Sequence, residues 1–163
     1  MIRASLIASV LAAPAALLPA TSAPAEEAEE MIAPSGDAEA GETAFNRQCV
    51  ACHVVVNDEN EKLAGRNGRT GPNLFHVPYR VAAQDEGFRY GKGMEAAREQ
   101  GVTWTEEHFA AYVQDPTGFL RDVTEDGSAR SKMSFKVRKP QDAADIFAYL
   151  ASLSPAPEDD AEK

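Results

Sequence analysis

The sequence predicts an all-α domain, and three observations carry that prediction. A capped start at Ser35 or Asp37 opens the foldable part, and a segment with Pro at its first turn runs from Pro140 to Ser152 and closes it. Between them, Cys49, Cys52 and His53 stand three and four residues apart, the spacing of one helical face. The one competing strand signal, Val54-Val55-Val56, has no obvious partner.

Length and composition set the frame. A chain of 163 residues is one domain once its tails are removed. Residues 1–23 read as a signal peptide: Arg3, an apolar run from Ala4 to Leu18 broken by Pro14, then small residues suited to cleavage near Ala20 or Ala23. The apolar run is short for a membrane span, which takes about 20 residues. An uncleaved anchor that tethers the domain to the membrane is the alternative. Residues 24–36 are rich in Ala, Pro and Glu and read as a disordered acidic linker, and 155–163 as an acidic tail of the same kind. That leaves 37–154 as the domain. The tails hold eight of the 26 acids, so the net charge of −10 shrinks to about −4 in the folded part, with 18 acids against 14 bases once Arg3 and Lys163 are set aside. This balance favours solubility and argues against a nucleic-acid partner.

The first helix is expected from Ser35 or Asp37, with Glu39 and Glu42 in its favourable first turns. Gly41 and Phe45 share one face, and a glycine inside a helix suggests close approach by another helix. The helix runs into Cys49, and the charged stretch 54–69 after it reads as an exposed loop. Residues 75–90 read as irregular. A short helix is expected over 91–100, ended by Gly101. Thr105 caps the next, which buries Phe109, Tyr112 and Val113 and stops at Asp115-Pro116. Residues 117–132 read as a loop. The last helix presents Ile146, Phe147, Tyr149, Leu150 and Leu153.

The chemistry concentrates at Cys49-Val50-Ala51-Cys52-His53, which holds both cysteines of the chain. Cys-x-x-Cys-His is the signature of covalent haem attachment. On a helical turn, two thiols reach two vinyl groups on one haem edge, and the imidazole is left beneath the ring. A redox dithiol is a rival reading, but that motif follows a strand in a βαβ unit. A structural zinc site needs two more ligands, and the remaining histidines, His76 and His108, are not paired.

With Thr70-Gly71-Pro72-Asn73-Leu74 and Lys132-Met133 added in order, the chain resembles the class I c-type cytochromes, particularly the bacterial c2-type branch related to mitochondrial cytochrome c. The resemblance spans about Gly36 to Leu153. It implies the cytochrome c fold: about five short helices and loops around one haem c bound through Cys49 and Cys52, with Ile146 and Tyr149 crossing Gly41 and Phe45. It implies His53 and Met133 as axial iron ligands, with the Pro72 carbonyl accepting from the His53 ring. It also implies Arg80, Tyr90 and Trp104 near the haem propionates, and a Tyr112 hydroxyl approaching the methionine sulfur. Met94 reads as packing.

An iron with two protein ligands has no open site for a substrate, so the resemblance implies a carrier of single electrons at positive potential and not an enzyme. A haem peroxidase or gas sensor with a labile Met133 is the alternative, and a structural module of a larger complex is a third reading. Arg130, Lys132, Lys136, Arg138 and Lys139 put five positive charges in ten residues, expected as a docking ring at the haem edge. The implied partners are membrane redox complexes: a cytochrome bc1-type donor and a reaction centre, oxidase or reductase as acceptor. A periplasmic monomer is expected.

Overall fold

A computed structural model describes residues 33–154 of the chain. The expected signal peptide, the linker up to residue 32, and the tail 155–163 lie outside the described residues. Five helices and one two-stranded sheet are found in order: α1 (Ala38–Gln48), β1 (Val54–Val56), β2 (Lys62–Gly65), α2 (Lys92–Glu99), α3 (Glu106–Gln114), α4 (Pro116–Thr124) and α5 (Pro140–Leu153).

Helix α1 starts where Asp37 places its carboxylate on the N–H groups of Glu39 and Ala40, at 2.8 and 3.0 Å. Its Gly41 lies against α5 so closely that a Cβ there would sit 1.9 Å from the Asp145 carbonyl oxygen and 2.8 Å from Tyr149 Cβ. Phe45, fully buried, meets the Tyr149 ring at 5.6 Å. The crossing of first and last helices therefore rests on one missing side chain and one aromatic contact. A buried Asp145 fastens it further by accepting from the Asp37 N–H at 2.9 Å and from Gln141 at 2.8 Å.

The packed body begins slightly earlier than the sequence suggests. Ser35 donates from both its backbone N–H and its hydroxyl to the Glu106 carboxylate, and Gly36 abuts the Ala144 backbone. The last two residues of the expected linker thus belong to the fold.

Two expected loops are regular structure. Residues 54–65 form an antiparallel hairpin, with Val54 opposite Gly65 and Val55 opposite Ala64, so Val54–Val56 does have a partner. The physical reason is burial: Val55 is fully enclosed, and Ala64, its partner across the ladder, is buried with it. Residues 117–124 are helical because Pro116, which stops α3, starts α4 at its first position, where its fixed φ and missing N–H cost nothing. Phe119 and Leu120 then point into the core.

The hairpin positions the loop that carries Pro72 to Leu74. Asn73 reads the edge of β1 with both ends of its amide, accepting from the Val56 N–H at 2.9 Å and donating to the Val56 carbonyl at 2.7 Å. Leu74 N–H adds a bond to the Val54 carbonyl at 2.9 Å. A second link, from Tyr79 to Ala82 against Val102 to Trp104, holds Trp104 in place.

Candidate functional site

A cavity of about 540 Å³ lies inside this frame. One wall carries Cys49, Cys52 and His53, and Met133 lines it too, with Tyr90, Met94, Trp104, Tyr112 and Pro72 between them. Its lining is mostly apolar, as a buried planar cofactor requires.

Helix α1 ends at Gln48, and a single further turn carries the cysteine pair. The N–H groups of Cys52 and His53 both donate to the Cys49 carbonyl, at 3.1 and 3.0 Å. That turn sets both thiols and the imidazole toward one cavity. Both thiols are free; Cys49 is half-buried, and burial followed by the neighbouring Cys52 pushes its pKa up to about 12. It is held as a neutral thiol, which costs less than a buried thiolate.

The His53 ring is oriented from outside the turn. Nδ1 lies 2.9 Å from the Pro72 carbonyl oxygen. A carbonyl only accepts, so Nδ1 carries the proton and Nε2 keeps its lone pair. Burial lowers the pKa below its ordinary 6.5, with the Pro72 bond opposing, so the imidazole is neutral and able to ligate. Gly71 makes the approach feasible: a Cβ at that position would fall 2.3 Å from His53 Cε1.

Met133 is half-buried in an irregular segment, its N–H donating to Ser131 Oγ at 3.0 Å. The Tyr112 hydroxyl is 2.9 Å from the same Ser131 Oγ, and no hydrogen bond connects it to the Met133 sulfur. Tyr90 lines the cavity and accepts the Asp85 N–H at 3.3 Å. Trp104 is buried at the cavity wall and packs on Tyr112 at 5.1 Å. Arg80 is not part of the lining, and its Nε is buried with no hydrogen-bond partner among the described residues. A buried donor of that kind calls for an acceptor.

The five cations expected at the docking face are all exposed, yet they differ. Lys136 pairs with Asp115 at 2.8 Å; Lys132 donates to the Arg89 carbonyl and lies over the Phe88 ring; Arg130 donates to nearby carbonyls. The side chains of Arg138 and Lys139 have no partner among the described residues. Phe135, 49% exposed, lies at the cavity rim.

Sequence reasoning passed over Asn73, Ser131 and Asp115. Asn73 was open to discovery, since a turn Asn satisfies nearby backbone with its amide. The contacts of Ser131 with Tyr112 and of Asp115 with Lys136 carry no local signal, because those partners lie 19 and 21 residues away.

The donor set, two thiols three apart, a neutral imidazole and a thioether on one apolar cavity, fits a c-type haem. It does not fit zinc: among the described residues no three His, Cys, Asp or Glu cluster to hold a metal.

Comparison with known proteins gives the same direction. The family described as Cytochrome c matches residues 38–154. A cytochrome c2 of Rhodovulum adriaticum is 60% identical over 119 residues, covering 73% of this chain and 94% of that protein. A cytochrome c2 of Cereibacter sphaeroides is 50% identical over 127 residues, covering 77% and 87%. Among solved structures, cytochrome c2 from Rhodobacter sphaeroides superposes with a TM-score of 0.71 at 50% identity, over 75% of this chain and 99% of that one. The cytochrome c2 isolated from Paracoccus denitrificans gives 0.68 at 43% identity, over 74% and 98%.

Proposed function

The chain belongs to the cytochrome c family, and on that premise we propose that it carries single electrons through a haem held between His53 and Met133. The haem is attached through Cys49 and Cys52, and when bound it supplies one-electron ferric/ferrous chemistry. The protein is a soluble carrier and not an enzyme. The observation that carries the ligand assignment is that His53 and Met133 line one cavity.

Each residue has a task that follows from its surroundings. Pro72 keeps the proton on Nδ1 of His53, so Nε2 keeps the lone pair with which His53 would hold the iron. Met133 offers a soft thioether, which favours the ferrous state, and the apolar walls disfavour the extra charge of the ferric one. Both effects raise the potential. With His53 and Met133 both on its iron, the bound haem would offer no position to oxygen, peroxide or substrate. Tyr90 and Trp104 at the wall would supply donors for the haem carboxylates, and the buried Arg80 Nε behind the wall, unpaired among the described residues, is a further donor for them.

The chain serves membrane redox complexes. The finer assignment is a monomer exported to the periplasm by residues 1–23, reduced by a cytochrome bc1-type complex and oxidised by a reaction centre, oxidase or reductase, docking through Arg130, Lys132, Lys136, Arg138 and Lys139.

The test is reduced-minus-oxidised spectroscopy with intact mass on protein purified from the periplasm. The expected result is one covalent haem, a cleaved leader and a six-coordinate spectrum that carbon monoxide leaves unchanged at neutral pH. Rapid carbon monoxide binding by the ferrous protein would sink the carrier reading in favour of a sensor or peroxidase with a labile methionine.

A further inference from the structure

Residues 131–139 form neither helix nor ladder, so their position rests on what they touch. At one end, Ser131 donates its N–H to the Thr117 hydroxyl at 3.3 Å and shares its own hydroxyl with Tyr112. At the other, the Val137 N–H donates to the Val113 carbonyl at 2.8 Å, and Lys136 Nζ donates to Asp115 Oδ1 at 2.8 Å. Tyr112, Val113, Asp115 and Thr117 all belong to the short stretch where α3 ends and α4 begins. Both ends of the segment bearing Met133 are therefore tied to one turn, and that turn is stiffened by a fully buried Pro116.

These tethers are unequal. The Ser131 and Val137 bonds are at least partly enclosed, whereas Lys136 and Asp115 keep 54% and 57% of their side chains exposed. The pair is thus the tether that salt reaches first. It also ties up a cation of the expected docking face.

We propose that Asp115 is a positioning residue for the axial ligand: through Lys136 it latches the Met133 segment onto the α3–α4 turn, and screening of that pair loosens the methionine. The proposal rests on Met133 being the sixth ligand. The latch acts on local opening of the segment and not on global folding, because an exposed pair adds little to overall stability.

The experiment measures how fast added imidazole displaces the methionine from the oxidised full-length holoprotein. Wild type is compared with Asp115→Asn, Lys136→Gln, the double variant, and the exchanged pair Asp115→Lys/Lys136→Asp. At low ionic strength each single change is expected to speed displacement by roughly two- to five-fold, the range open to an exposed pair. The double variant should be no faster than either single one, the exchanged pair should return toward wild type, and added salt should bring wild type up to Asp115→Asn. Denaturation midpoints should hardly move. A wild-type rate for Asp115→Asn at low salt, or additive single effects, overturns the latch while leaving the ligand assignment intact. A wild-type spectrum without a methionine-ligated haem overturns both.

Discussion

Nδ1 of His53 lies 2.9 Å from the carbonyl oxygen of Pro72, and the residue before that proline, Gly71, leaves no room for a side chain over the same ring. The two facts are linked. The loop can present its carbonyl to the imidazole only because Gly71 passes beneath it, with its own N–H donating to the Cys52 carbonyl at 3.0 Å.

Gly71→Ala should therefore act on the ligand as well as on the fold. A Cβ 2.3 Å from Cε1 must push the ring or the loop, and overpacking of this kind costs about 1–3 kcal/mol. The guanidinium midpoint is expected to fall and the His53 ligand signals to shift in a paramagnetic NMR spectrum. An unchanged midpoint together with unchanged ligand signals would show that the loop yields freely.

The crossing of α1 and α5 gives a second expectation. Gly41→Ala would place a Cβ 1.9 Å from a backbone oxygen of α5, which no side-chain rotation relieves. The helices must separate, and Phe45 and Tyr149 lose contact. Destabilisation of about 1–3 kcal/mol or more is expected in denaturant titration. Asp145→Ala, which leaves the Asp37 N–H and Gln141 without their acceptor, should cost about 1–3 kcal/mol by a different route. Wild-type stability in either variant would mean that the crossing yields without loss of packing.

What the sequence made legible depends on how local each signal is. The Asp37 cap, the Gly41 and Phe45 face and the Cys49 to His53 turn are all encoded within four or five residues, and the structure places them as helical spacing dictates. The hairpin was hidden because Lys62–Gly65 is short and opens with a charge, so nothing in it reads as the partner of three valines. Helix α4 was hidden because Asp115-Pro116 is a stop signal for the helix before it and a start signal for the one after, and Gly118 weakens the second reading. The tethers of the Met133 segment span 14 to 24 residues, beyond the reach of any local pattern.

Acid should reveal the Asp115 contact. The Lys136 hydrogen bond, its largest influence, holds the Asp115 carboxyl below its ordinary 3.8. A carboxylate with a lowered folded-state pKa contributes stability above the unfolded value, and that contribution is lost as pH falls through the folded one. The difference between wild type and Asp115→Asn in local opening of the Met133 segment, read by amide hydrogen exchange at Met133 and Val137 corrected for the intrinsic rate at each pH, is thus expected to be steady at neutral pH and to close below about pH 4, because a protonated Asp115 resembles Asn. A difference that stays constant down to pH 3 would rule this origin out.

The unequal engagement of the five cations separates two kinds of docking variant. Arg138 and Lys139 are exposed and unpaired among the described residues, so charge reversal there alters only the field that steers a partner. Reversal at Lys132 or Lys136 alters that field too, but it also releases the Arg89 carbonyl and Phe88, or Asp115. All four variants should slow bimolecular electron transfer to an acidic redox partner at low salt and flatten its dependence on ionic strength. At high salt, where steering over distances beyond a Debye length is screened, Arg138→Glu and Lys139→Glu should recover wild-type rates. Lys136→Glu should recover as well, since salt opens the Lys136–Asp115 pair of wild type too, whereas Lys132→Glu should remain displaced, because its contacts with the Arg89 carbonyl and the Phe88 ring are not a screened charge pair. Stopped-flow rates across a salt series decide the matter: if Lys132→Glu also converges on wild type at high salt, Lys132 serves docking alone, and if none of the four differs from wild type at low salt, this face does not dock.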